Sequence, residues 1–214
     1  MLEKKKLNGY YNYTVILTYL GMLCGFTGIT FTISGDYRNA LICLMVSGIF
    51  DMFDGAVAAT KERTEKEKKF GIEIDSLSDL ICFGVFPALF LYEVSGRDRM
   101  ACVCGSFYAL CALIRLAYFN VCEMERQEKE TGSRTWYTGL PVTTVALILP
   151  VVFAGTSNLK LQTARVLSVV LTIMAAAFLL PFKIKKPYIV GKVSIVAAGI
   201  VEFVILVMGI GMDI

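Results

Sequence analysis

The 214-residue chain contains no histidine and no pair of cysteines spaced as C-x-x-C. Both absences argue against a zinc site, because zinc in proteins is held mainly by histidine and cysteine at short spacings. Without histidine, proton transfer near neutral pH is left to carboxylates or lysine. Charged residues make up only 18% of the chain, against about 25% in a typical soluble domain. This shortage of charge excludes an ordinary soluble domain.

Apolar sequence is abundant instead. Hydrophobic residues make up 56% of the chain and occur in runs close to the ~20 residues that a helix needs to cross a bilayer. We therefore predict an all-α, polytopic integral membrane protein that forms a single domain over residues 1–214. The seven predicted helices cover about 14–33, 38–60, 73–93, 100–122, 140–156, 161–181 and 188–211.

Basic residues are distributed unevenly between the connections of this layout. With the N-terminus in the cytoplasm, the cytoplasmic stretches carry fourteen lysines and arginines and the outer stretches carry four. Cytoplasmic loops of membrane proteins are enriched in these residues. We therefore predict a protein of the cytoplasmic membrane with its N-terminus inside. The loop KERTEKEKK alternates bases with glutamates and lacks interleaved aromatic residues, so nucleic acid is not an expected partner.

Four aspartates occur where two apolar segments meet a polar connection of eleven residues. Asp51 and Asp54 are three residues apart, and Asp75 and Asp79 are four apart, so each pair lies on one face of its helix. An antiparallel pair of helices would bring these faces together just below the cytoplasmic surface. Carboxylates are costly beside hydrocarbon. Oxygen ligands in this number suit Mg²⁺ or Mn²⁺, with Ca²⁺ as a further option, so the pattern predicts a divalent-metal site.

The same stretch resembles the signature of the CDP-alcohol phosphotransferases, which reads D-x-x-D-G-x-x-A-R, a spacer, and G-x-x-x-D-x-x-x-D. Ala59 occupies the position of the signature arginine, and the spacer is longer than the usual seven or eight residues. Arg63 is a candidate substitute for that arginine if the helix continues past Ala59. Seven of the eight fixed positions match: Asp51, Asp54, Gly55, Ala58, Gly71, Asp75 and Asp79.

Three further segments are similar to bacterial and archaeal phosphatidylserine synthases of that family. They read DSLSDLICFGVFPAL, RLAYFNV and YTGLP. Thr18, near the middle of the first predicted helix, also matches a threonine that precedes a CGF-type stretch. The resemblance covers roughly residues 14–145. It implies a six-helix catalytic core over about 14–181, an additional helix at about 188–211, and a homodimer.

The resemblance implies a reaction in which the phosphatidyl group of CDP-diacylglycerol is transferred to L-serine, giving phosphatidylserine and CMP. It further implies two divalent cations, with Asp79 acting both as a metal ligand and as the general base on the serine hydroxyl. The implied metal ligands are Asp51, Asp54, Asp75 and Asp79. The implied binding residues for the nucleotide-linked lipid are Thr18, Asp54, Gly55, Ala58, Gly71 and Arg63.

Two polar residues in the fourth predicted helix are candidates for the serine site. Arg115 could hold the serine carboxylate or a lipid phosphate, or it could form an internal salt bridge. Asn120 could line the alcohol pocket or cap the helix. The small residues Gly55, Ala58 and Gly71 are equally ambiguous, because small residues permit both close ligand approach and close helix packing.

Two other functions stay open on the sequence. A sister enzyme would use another alcohol, such as glycerol phosphate, inositol phosphate or choline, or an ether-lipid CDP donor. A phosphorylated acceptor would need several basic residues near the fourth to sixth helices, where Arg115 is the only deep one. A cation transporter would instead favour acidic residues spread through the depth of the bilayer.

Overall fold

The computed structural model describes residues 9–129, 136–158, 162–181, 183–185, 199–204 and 206. Within these ranges the chain is a bundle of helices with one short two-stranded ribbon. The helices are α1 (Ile16–Ile33), α2 (Tyr37–Ala58), α3 (Glu65–Asp79), α4 (Phe86–Val94), α5 (Arg99–Lys129), α6 (Val145–Asn158) and α7 (Thr163–Leu179). The strands are β1 (Trp136–Thr138) and β2 (Lys183–Lys185).

Four segments of the described chain are long and apolar enough to cross a membrane: Tyr13–Ile33, Tyr37–Ala58, Glu65–Val94 and Arg99–Glu125. The apolar helices Val142–Thr156 and Thr163–Leu179 are shorter. The prediction of a helical membrane bundle is confirmed. The seventh predicted helix, 188–211, lies largely outside the described residues, although residues 199–204 are helical. The division into a core over 14–181 and an additional helix stays a prediction.

The third predicted helix starts earlier than the sequence analysis placed it. We predicted a start near residue 73 after an eleven-residue connection, and this is wrong. α3 begins at Glu65 because Thr64 and Glu67 form a capping box. The Thr64 hydroxyl accepts the Glu67 N–H at 3.3 Å, and the Glu67 carboxylate accepts the Thr64 N–H at 2.9 Å. The connection between α2 and α3 is therefore only residues 59–64.

The start of α3 is also fixed to the N-terminal segment of the described chain. Asn12 Nδ2 donates a hydrogen bond to Glu67 Oε1 at 3.1 Å. The ring of Tyr10 packs edge-on against that of Phe70, with centroids 5.4 Å apart. The segment before α1 therefore holds the α2–α3 connection at the end of the bundle that carries the four aspartates.

The helix does not break between α3 and α4 but widens into a π-helical turn, Leu80–Val85. Pro87 has no N–H, so it cannot donate to the Phe83 carbonyl as an α-helix would require. The fully buried Tyr108 hydroxyl of α5 donates to that carbonyl at 2.8 Å. Such π turns occur frequently at functional sites, and this one begins directly after Asp79.

Close packing of α1 against the π turn and α4 depends on two glycines. A Cβ built on Gly28 would lie 2.5 Å from the Phe86 ring, and one built on Gly25 would overlap Cys82 Sγ. Glycine permits this approach because it has no side chain. Phe86 also belongs to an apolar core shared by α2, α4, α6 and α7. Its other fully buried members include Leu44, Phe90, Leu149 and Leu171.

The ribbon joins the segment before α6 to the segment after α7. β1 pairs antiparallel with β2, so that Tyr137 lies opposite Ile184. Gly139 follows β1 with a φ of 74°, in the left-handed region that favours glycine. A Cβ at Gly139 would lie 3.2 Å from the Leu180 carbonyl and 3.5 Å from Arg115 Nε. The turn after the ribbon therefore packs against Arg115 of α5.

The Tyr108 contact predicts a measurable stability difference. We expect Tyr108→Phe to lower the free energy of unfolding by about 1 kcal/mol, because it leaves the buried Phe83 carbonyl without the Tyr108 donor. Denaturant unfolding of the detergent-solubilised protein measures this. The matched control is Tyr92→Phe on α4, whose hydroxyl has no hydrogen-bond partner among the described residues. Equal stability of the two variants would contradict a structural role for the Tyr108 hydroxyl.

Candidate active site

The helices α2 and α3, joined by residues 59–64, bring carboxylates from two sequence regions into one cluster. One carboxylate oxygen from each of Asp51, Asp54 and Asp75 lies within 4.8 Å of the corresponding oxygens of the other two. Asp54 is buried, with 8% of its surface exposed, and the other two are half-buried. We call Asp51, Asp54 and Asp75 the carboxylate cluster.

Asp79 lies one turn deeper on α3 and lines the same small cavity as the carboxylate cluster. Its carboxyl group lies against that of Asp51. The cavity has a volume of about 10 Å³, which is the space of about one bound water or ion. Cys82 and Ser47 also line this cavity, and the side chains of both donate a hydrogen bond to the Gly21 carbonyl of α1.

No basic side chain balances this negative charge within the described part of the chain. The ion pairs there are Lys61–Glu67, Lys68–Glu65 and Arg97–Glu93, and none includes the four aspartates. Carboxylates that share a poorly solvated space repel one another unless a cation or a proton compensates them. An all-oxygen donor set at this separation fits a hard divalent cation. The residues present therefore fit a divalent-metal site.

Thr18 supports one member of the cluster directly. Its buried hydroxyl donates to Asp54 Oδ2 at 3.0 Å. Ser78 Oγ in turn donates to the Thr18 carbonyl at 3.4 Å. We placed Thr18 near the middle of the first helix, and this is wrong, because α1 begins at Ile16. Thr18 therefore lies in the first turn of α1, level with the carboxylates.

The remaining predicted donor-site residues lie around the α2–α3 connection. α2 ends at Ala58, and Ala59 is its C-terminal cap. The suggestion that Arg63 continues this helix is therefore wrong. A Cβ built on Gly71 would lie 3.2 Å from Arg63 Nη1, so the guanidinium packs over α3 one turn before Asp75. Gly71 lies inside α3, whereas the predicted third helix, which began near residue 73, left it outside.

Open space adjoins the carboxylate cluster on two sides. A Cβ built on Gly55, next to Asp54, would meet no atom within 4 Å among the described residues. On the other side, an apolar cavity of about 330 Å³ lies between α1 and α3 and shares Thr18 and Ser78 with the carboxylate cavity. Its other walls are Tyr19, Met22, Leu23, Ile74, Leu77 and Ile81. The carboxylate cavity and the apolar cleft are therefore adjacent, with Thr18 and Ser78 in the wall of both.

The two predicted serine-site residues of α5 lie in different surroundings. Arg115 is buried, donates from Nε to the Leu140 carbonyl at 3.4 Å, and lies over the Phe119 ring at 5.5 Å. Asn120 is buried against α3, where its Oδ1 accepts a hydrogen bond from Ser76 Oγ at 2.7 Å. Of the two predicted roles of Asn120, the helix cap is wrong, because α5 continues to Lys129; the role in the alcohol pocket stays a prediction.

Ser76 was not a candidate on the sequence. Its position directly after Asp75 in DSLSD was the available signal. Successive helical residues are rotated by about 100°, so a residue next to a cluster-facing aspartate points towards a different neighbour. Which neighbour it meets depends on how α5 packs, and this cannot be read from local spacing.

A comparison with protein families gives one match over most of the chain. The sequence model described as CDP-alcohol phosphatidyltransferase matches residues 11–181. These residues include the carboxylate cluster, Asp79, Arg115 and Asn120.

Individual relatives are similar over shorter or longer stretches. A CDP-diacylglycerol–serine O-phosphatidyltransferase of Saccharomyces cerevisiae is 35% identical over 143 residues, covering 61% of this chain and 51% of that protein. An archaetidylserine synthase of Methanothermobacter thermautotrophicus is 29% identical over 182 residues, covering 85% of this chain and 74% of that protein. The Helicobacter pylori CDP-diacylglycerol–serine O-phosphatidyltransferase is 30% identical over 145 residues, covering 67% of this chain and 57% of that protein. The match thus spans about half the length of the yeast relative.

The hydrogen bond to Asp54 predicts an effect on cation binding. We expect Thr18→Val, which keeps the side-chain shape but removes the donor, to weaken divalent-cation binding about 10- to 100-fold, as is typical for partners of metal ligands. The purified protein is titrated with Mn²⁺, and the concentration of unbound Mn²⁺ at each step gives the affinity. The matched control is Thr32→Val on the same helix, whose hydroxyl bonds only to the Gly28 carbonyl. Unchanged affinity in Thr18→Val would contradict the assignment.

Proposed function

The chain belongs to the CDP-alcohol phosphatidyltransferase family, and on that premise we propose that it is a CDP-diacylglycerol–serine O-phosphatidyltransferase. It transfers a phosphatidyl group from the CDP-linked lipid to L-serine and releases CMP. The observation that carries this proposal is the carboxylate cluster, which lies without a basic partner among the described residues and next to an apolar cleft. Relatives named for the same reaction support the choice of substrates.

Asp51, Asp54, Asp75 and Asp79 would hold two divalent cations, Mg²⁺ or Mn²⁺, with Ca²⁺ as a further option. When bound, the cations would neutralise the charge that builds on the pyrophosphate as CMP leaves. Thr18 orients Asp54 by donating to one of its oxygens. This would leave the other Asp54 oxygen for a cation.

The CDP-linked lipid would enter from the membrane side. Its acyl portion suits the apolar cleft between α1 and α3, because the free energy of apolar surface is lower in an apolar environment than in water. Its nucleotide would occupy the open side near Gly55 and Ala58, where a larger side chain would obstruct it. Arg63, packed over Gly71, supplies a guanidinium for a phosphate oxygen.

Asp79 is the proposed general base. The serine hydroxyl transfers its proton to the Asp79 carboxylate as its oxygen forms a bond to the β-phosphorus of the donor. The bond between that phosphorus and the bridging oxygen of CMP breaks, and CMP leaves with the electron pair. The chain has no histidine, and the carboxylate of Asp79 lines the cavity that the carboxylate cluster occupies, so a carboxylate base fits this site.

Arg115 and Asn120 are the proposed acceptor-side residues. The assignment of Asn120 is supported by its hydrogen bond to Ser76, the residue after Asp75. Arg115 is held by the Leu140 carbonyl and the Phe119 ring, which would fix its guanidinium for an anionic group.

A second donor has support from one comparison. The archaeal relative that aligns with 85% of this chain is named archaetidylserine synthase. A CDP-linked ether lipid with the same serine acceptor is therefore the alternative to CDP-diacylglycerol. We also propose, from the lysine and arginine distribution, that the site faces the cytoplasm across the cytoplasmic membrane. A homodimer is proposed from the family resemblance alone.

An acceptor screen tests the reaction. We expect purified protein with CDP-diacylglycerol and Mn²⁺ or Mg²⁺ to release CMP when serine is added. Glycerol phosphate, inositol phosphate and choline should give little or none. Chelation with EDTA should abolish release, and either cation should restore it. CMP release with another alcohol alone would make the chain a sister enzyme, and metal-insensitive release would remove the proposed role of the cluster.

Replacement of the proposed base gives a sharper test. We expect Asp79→Asn to lower the turnover number about 10²- to 10⁴-fold, the usual contribution of general-base catalysis. The Michaelis constant for CDP-diacylglycerol should change little, since Asn retains an oxygen. Glu73→Gln, an exposed carboxylate on the same helix, is the matched control and should keep its activity. Substantial turnover by Asp79→Asn would exclude Asp79 as the base.

A further inference from the structure

We propose that Ser76 is a substrate-binding residue of the acceptor site, and that with Asn120 it recognises the paired ammonium and carboxylate groups of a free amino acid. This inference rests on the proposed function and deepens it, because it assigns the part of the site that selects a zwitterion. The two residues are 44 positions apart in sequence and meet between α3 and α5.

α3 presents different chemistry to different neighbours. Asp75 and Asp79 are four residues apart and face the cavity shared with α2. Ser76, rotated by about 100° from Asp75, faces α5 instead. Its Oγ lies 2.7 Å from Asn120 Oδ1. The Ser76–Asn120 pair therefore lies immediately beside the carboxylate cluster, on the α5 side of α3.

The direction of this hydrogen bond fixes what the pair can offer to a ligand. Ser76 donates its only hydroxyl proton to Asn120, so the Ser76 oxygen can only accept a hydrogen bond from a ligand. The side-chain oxygen of Asn120 accepts that proton, so Asn120 offers a ligand the two N–H donors of Nδ2. That Nδ2 has no hydrogen-bond partner among the described residues. Locking the amide removes its ability to present the oxygen.

A hydroxyl acceptor beside an amide donor matches the two charged groups of an α-amino acid. The ammonium group can donate to Ser76 Oγ, and the carboxylate can accept from Asn120 Nδ2. A phosphorylated alcohol without an amino group cannot donate to Ser76 Oγ in this way, so the pair discriminates against it by hydrogen bonding.

A hydroxyl–amide contact between helices can also serve packing alone, and the two roles predict different kinetics. We expect Ser76→Ala to raise the Michaelis constant for serine about 10- to 100-fold, the usual effect of losing hydrogen bonds to charged groups. The turnover number and the Michaelis constant for CDP-diacylglycerol should stay within about twofold. Ser76→Thr keeps the hydroxyl and should restore the serine constant. Ser168→Ala on α7, whose hydroxyl bonds to its own helix, is the control.

Substrate analogues separate the two halves of the pair. We expect Ser76→Ala to weaken inhibition by 3-aminopropanol, which has the ammonium but no carboxylate. Inhibition by 3-hydroxypropanoate, which has the carboxylate but no ammonium, should weaken only a few-fold. Asn120→Asp, which replaces the two donors by an acceptor, should weaken the carboxylate analogue more than the ammonium analogue. This second variant keeps the test decisive if Ser76→Ala fails to fold.

Equal weakening of both analogues in both variants would overturn the inference, as would an unchanged serine constant in Ser76→Ala. Loss of turnover and of stability without a change in the serine constant would assign the pair to packing. Failure of the proposed function is a separate result, because the unmodified protein would then release no CMP on addition of serine.

Discussion

The arrangement of this protein depends on carboxylates that share one small, poorly solvated space. Three of them lie within 4.8 Å of one another, and a fourth lines the same cavity. Within the described ranges they have no ion-pair partner, so their mutual repulsion opposes folding unless a cation or protons are present. Such a cluster lowers the stability of the protein on its own. A bound divalent ion would convert the repulsion into binding affinity.

Several features of the fold serve to hold this unfavourable cluster in place. The capping box fixes where α3 starts, and the hydrogen bond from Asn12 ties that start to the N-terminal segment. At the deeper end, the π turn after Asp79 is held by the Tyr108 hydroxyl. The glycines of α1 allow close contact with Cys82 and Phe86. These contacts therefore surround the residues that repel one another.

The sequence predicted the features that depend on local spacing. The four aspartates could be assigned to two helical faces because i, i+3 and i, i+4 positions are neighbours on any helix. The start of α3 was also readable from Thr64 and Glu67, and it was missed because the charged run resembled a loop. The ribbon, the contact of Arg63 with Gly71, and the Ser76–Asn120 bond depend on how distant segments pack. No local pattern encodes these contacts, so they required the structure.

The length of the helix that carries Asp75 and Asp79 has a consequence for how substrates arrive. The segment Glu65–Val94 has 30 residues, or about 45 Å at 1.5 Å per residue, whereas the hydrocarbon layer is about 30 Å thick. With the apolar part of the segment filling that layer, its charged first turns would stand in the headgroup zone and the aspartates near the boundary between headgroups and hydrocarbon. The proposed lipid donor would reach them by lateral diffusion in its own leaflet, while the proposed hydrophilic acceptor would reach the same point from the aqueous phase. Neither reactant would then have to leave the environment in which it is soluble.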